Sequence, residues 1–106
     1  MKVAISATGG SLSAMVDERF GRAPYFVFVD SEGKGFTALS NPSINATSGA
    51  GPQTAMLLKN NGAEVVLTGR VGPNARRALE AAGIKVVEGV QGVVKEALED
   101  WLKKQG

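Results

Sequence analysis

Gly51-Pro52-Gln53-Thr54-Ala55-Met56-Leu57-Leu58-Lys59-Asn60-Asn61-Gly62-Ala63-Glu64-Val65-Val66 is echoed about twenty-one positions later by Gly72-Pro73-Asn74, a helical stretch, Ala82-Gly83 and Ile84-Lys85-Val86-Val87. Each copy reads as a glycine turn, a helix opened by proline at its first position, a glycine C-cap and a short apolar strand. That is a β/α unit written twice. Each strand is followed by a further glycine loop, Thr68-Gly69-Arg70-Val71-Gly72 and Glu88-Gly89-Val90-Gln91-Gly92. Successive helix N-termini should therefore line one edge of a parallel sheet, where backbone N–H groups and helix dipoles favour an anionic ligand.

Working outward, residues 2–7 read as a strand ending at Thr8-Gly9-Gly10. Ser11 to Pro24 shows no sustained period and reads as a long functional loop. Tyr25-Phe26-Val27-Phe28-Val29, the turn Asp30-Ser31-Glu32-Gly33 and the run Gly35 to Leu39 make an antiparallel hairpin. Ser40 to Gly51 is a second polar loop feeding a helix. In the last helix Val93, Val94, Ala97, Leu98, Trp101 and Leu102 share one apolar face, with Lys95, Glu96, Glu99, Asp100 and Lys103 opposite. Trp101 is read as packing. The count is five strands and three helices, an α/β layer structure.

A chain of 106 residues is expected to form a single domain, 1–106. Its net charge of +2 comes without a basic run, so nucleic acid is not an expected partner. With no cysteine and no histidine, disulfides, thiolate clusters, histidine-based triads and histidine zinc sites are excluded. No long apolar stretch suggests a signal peptide or membrane span, so the expectation is a cytoplasmic protein without a membrane partner. There is no G-x-G-x-x-G and no Walker lysine loop. Ile5-Ser6-Ala7-Thr8-Gly9-Gly10-Ser11 matches a flavodoxin phosphate loop weakly, and neither flavin nor nicotinamide is expected.

Three loops should meet at the sheet edge: Thr8 to Pro24, Asn41 to Gly51, and Thr68 to Gly72. Glycines there allow close backbone approach, hydroxyls can donate, and arginines supply charge. The cofactor-binding set drawn from them is Thr8, Gly9, Gly10, Met15, Arg19, Arg22, Ser48, Gly49, Gly51, Gly69, Arg70, Gly72 and Asn74. The plainer reading is that these glycines permit turns and the arginines solvate the surface. Met15 offers a thioether as a soft-metal ligand, against the plainer role of anchoring its loop to the core. Asp17, Glu18, Asp30 and Glu32 read as solvated turn residues, and Glu64, Glu80 and Glu88 as strand-end or helix-surface charges. No acid/base pair stands out, and no catalytic residue is assigned.

Val16-Asp17-Glu18-Arg19-Phe20-Gly21-Arg22-Ala23-Pro24-Tyr25-Phe26, Asn41-Pro42, Gly49-Ala50-Gly51-Pro52-Gln53, Leu67-Thr68-Gly69, Gly72-Pro73-Asn74-Ala75 and Ala81-Ala82-Gly83-Ile84 occur in that order over nearly the whole chain. Together they resemble the dinitrogenase iron-molybdenum cofactor biosynthesis family, the NifX, NafY and NifB C-terminal type of domain that includes the orange protein. The resemblance implies a three-layer ribonuclease H-like fold, with a mixed five-stranded sheet and flanking helices, without that fold's nuclease carboxylates. It also implies a non-enzymatic carrier of an iron-molybdenum or molybdenum-copper sulfide cluster, or its precursor, with metallocofactor-assembly proteins as partners. The position after Phe20-Gly21, often histidine in such relatives, is Arg22 here. Cargo would then be held electrostatically, with or without Met15, or this chain keeps the scaffold for another role. The alternatives are a regulatory or interaction module and a small phosphate- or nucleotide-binding enzyme.

Overall fold

In the computed structural model of the protein, which describes residues 1–32, 35–46 and 48–105, five strands form one sheet in the order β3-β2-β1-β4-β5. They are β1 (Lys2–Ala7), β2 (Tyr25–Asp30), β3 (Phe36–Ser40), β4 (Val65–Leu67) and β5 (Lys85–Val87), with helices α1 (Ala50–Asn60), α2 (Pro73–Ala81) and α3 (Val94–Gln105). The hairpin is antiparallel, with Tyr25 opposite Ser40, and β2 runs antiparallel to β1, with Ala7 opposite Tyr25. On the other side β1, β4 and β5 are parallel, through Val3–Val65 and Val65–Lys85. Gly33 of the expected hairpin turn lies outside the described residues.

Alternation along the strands separates two cores. Ala4, Phe26, Phe28 and Val66 face α1 and α2, where Ala55, Leu58, Ala75 and Leu79 close the layer, and Phe20 meets Phe26 edge-on at 5.5 Å between ring centroids. Val3, Ile5, Val27, Val65 and Leu67 face α3, packed by Val94, Leu98 and Trp101. The periodicity of α3 thus buries the predicted face, and Trp101 is a core residue. The result is the three-layer mixed sheet that the resemblance implies. Burial of each large aliphatic chain contributes about 1.5–3 kcal/mol.

The two β/α units are not identical at their entrances. α2 starts with Pro73 at its first position, and the Arg76 amide donates to Gly72 O at 2.9 Å. α1 instead starts at Ala50, two residues before Pro52, because the Gln53 amide reaches back to Gly49 O at 3.0 Å. Pro52 therefore occupies the third position, still within the first turn, where the amide it lacks has no intrahelical partner. The exits agree with expectation: Gly62 and Gly83 follow the two helices with φ of 76° and 75°.

Candidate functional site

The parallel strands β1, β4 and β5 end side by side at Ala7, Leu67 and Val87, so the segments 8–24, 68–72 and 88–92 leave the sheet at one edge. The first is more ordered than its lack of period suggests. Val16 pairs with Ala7, Met15 with Val93, and Arg19 runs parallel to Arg70. The Val16 amide donates to Gly92 O at 2.8 Å, Asp17 N to Ser6 O at 2.8 Å, and Arg70 N to Glu18 O at 2.7 Å. Isolated bridges to several partners leave no strand-like repeat in the sequence.

Beneath this edge the buried Ser6 hydroxyl hydrogen-bonds the Asp17 carbonyl at 2.7 Å and Thr68 Oγ1 at 2.8 Å. The first and second loops are joined by buried Asn41, whose Nδ2 donates to Gly21 O at 3.2 Å and Ala23 O at 3.0 Å while Oδ1 accepts from Ser43 N. Gly69 is required by proximity: a Cβ on it would lie 2.6 Å from Glu18 Cα and O.

These contacts leave a cleft of about 520 Å³ lined by Met15, Val16, Glu18, Gly69, Arg70 and the turn Gly89 to Gly92. The amides of Gly69, Gln91 and Gly92, all in its lining, donate to no acceptor among the described residues. Unpaired amides among the residues of a concavity are available donors for an anion. Arg70 adds a guanidinium, within 4.0 Å of the Glu18 carboxylate. Met15 is 49% exposed here, so it does not anchor its loop to the core. Among the described residues no group of three or more His, Cys, Asp or Glu could hold a metal ion.

The thirteen residues singled out from the sequence do not form one cluster. Met15, Gly69 and Arg70 line the cleft. Arg19 stands beside it, and its charge is already matched: Nε lies 3.3 Å from Asp17 Oδ1, and the same oxygen accepts from the Arg19 amide at 2.8 Å. The hydrogen bond and charge of Asp17 push the Arg19 guanidinium above its ordinary pKa. Asp17 is only 6% exposed, which corrects its reading as a solvated turn residue: its side chain is spent on closing the turn at Arg19.

Arg22, Gly49, Gly51, Gly72 and Asn74 line a separate concavity of about 280 Å³ at the entrances of α1 and α2. There Arg22 Nη1 donates to Ile44 O at 2.8 Å, and Asn74 Oδ1 accepts from Arg77. Thr8 supports Met15 by donating its amide to Met15 O at 2.9 Å and accepting from Met15 N at 3.2 Å. Gly9 and Gly10 lie outside the cleft lining, Gly10 against Tyr25 and Ala38, and Ser48 is exposed and lines neither concavity. Missing from the sequence-derived set are Val16, Glu18, Gly89, Val90, Gln91 and Gly92. The glycine turn 88–92, which repeats the pattern of 68–72, was the signal that could have added most of them.

The profile of the dinitrogenase iron-molybdenum cofactor family matches residues 1–104. The chain belongs to that family. Among solved structures it is similar to the apo form of the orange protein from Desulfovibrio gigas, with 42% identity over 98% of this chain and 88% of that one, at a TM-score of 0.94. It is also similar to a Thermotoga protein solved by NMR and described as a candidate NifB protein of the DUF35 family, with 37% identity over 96% and 87% of the two chains and a TM-score of 0.84. No curated protein matches the chain by sequence. Family and fold are thus those the ordered blocks of sequence implied. Among the described residues no helix is long and apolar enough to cross a membrane.

Proposed function

We propose that this family member is a non-catalytic carrier of an anionic metal-sulfur cofactor or precursor, of iron-molybdenum or molybdenum-copper sulfide type, held in the cleft between the 15–18, 69–70 and 89–92 segments. The observation that carries the reading is the set of unpaired amides at Gly69, Gln91 and Gly92 beside Arg70, in a concavity of about 520 Å³. Sulfido anions are bound here by N–H donors and one guanidinium, in place of thiolate or imidazole ligation, for which the chain has no residues. Met15 supplies a thioether at the rim of the same cleft, suited to a soft metal at the surface of the cargo. Metallocofactor-assembly proteins are the corresponding partners.

Anaerobic reconstitution with tetrathiomolybdate, with and without copper, followed by gel filtration at visible wavelengths and metal analysis, tests this. Stoichiometric coloured metal should elute with the protein. A colourless, metal-free peak from the native chain would overturn the carrier reading.

A further inference from the structure

Among the described residues three ion pairs lie at the cleft or on the segments that form it, and they differ in how firmly they are closed. Asp17 and Arg19 are joined by hydrogen bonds, with the carboxylate buried. Glu88 and Arg76 are hydrogen-bonded, and the other Glu88 oxygen accepts from Val71 N at 2.9 Å. Glu18 and Arg70 are held at 4.0 Å, without a hydrogen bond, and their side chains are 77% and 74% exposed. Among the described residues this is also the pair in which both members line the cleft.

The loose pairing of the side chains contrasts with a tight pairing of their backbones. The Arg70 amide donates to Glu18 O at 2.7 Å, Phe20 N donates to Arg70 O at 3.2 Å, and no side chain at Gly69 could fit between them. Glu18 thus cannot leave the neighbourhood of Arg70, although its carboxylate is exposed and makes no hydrogen bond to it. The charged side chains lining the cleft sum to zero, one guanidinium and one carboxylate.

We propose that Glu18 is a built-in competitor for Arg70 that keeps anionic cargo weakly held and quickly released. The proposal rests on the carrier reading above. An entering dianion takes the guanidinium from Glu18 and leaves that carboxylate beside it as an unpaired like charge. A unit charge roughly 6 Å from a dianion in a water-like dielectric changes affinity about tenfold. Salt should shrink the difference, since the screening length falls from about 10 Å at about 0.1 M, longer than this separation, to about 3 Å at about 1 M, shorter than it.

The test is tetrathiomolybdate binding to the native chain, Glu18→Gln, Glu18→Asp and Glu32→Gln, the last removing one charge at the opposite sheet edge. Glu18→Gln should bind about tenfold more tightly, mainly through slower release, with the gain fading as salt rises. Glu18→Asp should stay near the native affinity, and so should Glu32→Gln. Native binding with no gain in Glu18→Gln, or an equal gain in Glu32→Gln, overturns the competitor and leaves the carrier reading standing. Failure of all four proteins to bind overturns both.

Discussion

A glycine next to a crossing backbone and a carboxylate folded onto its own turn do more to shape the cleft than any exposed cation. Gly69 lets the 68–72 segment pass within backbone hydrogen-bonding distance of Glu18, and a methyl group there would sit 2.6 Å from main-chain atoms. Gly69→Ala is expected to cost about 1–3 kcal/mol, as for overpacking in a tight site, measured by denaturant unfolding. Asp17 locks Arg19 in the same stretch. Because the folded state raises the Arg19 pKa, the stabilisation linked to it is fully present below the ordinary guanidinium value and is lost as pH rises from there through the raised folded value. With no histidine or cysteine in the chain, and the N-terminal amine at the far end of β1 from the cleft, cargo binding should be flat between about pH 6 and 9 once the cargo's own titration is subtracted. A step in affinity near neutrality, measured by isothermal titration, would contradict that.

The two β/α units share their wording but not their packing. Gly51 and Gly72 are equivalent in the repeat, yet a Cβ on Gly51 would meet Ala75 Cβ of α2 at 2.8 Å, whereas one on Gly72 would meet nothing within 4 Å. Gly51 is thus a contact between helices, and Gly72 an open entrance with an ordinary φ of −73°. Gly51→Ala should cost about 1–3 kcal/mol by forcing the helices apart. Gly72→Ala should fall within about 0.5 kcal/mol of the native chain, since the smaller unfolded-state entropy offsets a poorer N-cap. Thermal unfolding of the two variants side by side decides the matter. The periodicity of the sequence could place both glycines before a helix. It could not say which of them touches the other helix, because that depends on how α1 and α2 cross.

At the scale of the whole molecule, two concavities at one sheet edge divide the arginines that the sequence had grouped. Arg70 stands in the larger cleft, while Arg22 donates to the Ile44 carbonyl in the smaller one. Arg70→Ala should weaken tetrathiomolybdate binding about tenfold or more, and Arg22→Ala should leave it within about twofold; equal losses would mean that cargo spans both. The order of strands and helices, the apolar face of α3 and the placing of glycine loops at one edge were legible in the sequence, because they follow from local period and turn chemistry. So was the family, through ordered blocks matched over residues 1–104. The turn 88–92 carried the same glycine pattern as 68–72, but its part in the cleft depends on the parallel pairing of β4 and β5. Which charges cancel was decided only by tertiary structure. Asp17 and Arg19 are two residues apart, but Glu18 reaches Arg70 and Glu88 reaches Arg76 across loops that meet only when the sheet forms. A charge carries its sign in the sequence, whereas its partner is set by distances of a few ångströms between chain segments that composition and period do not specify.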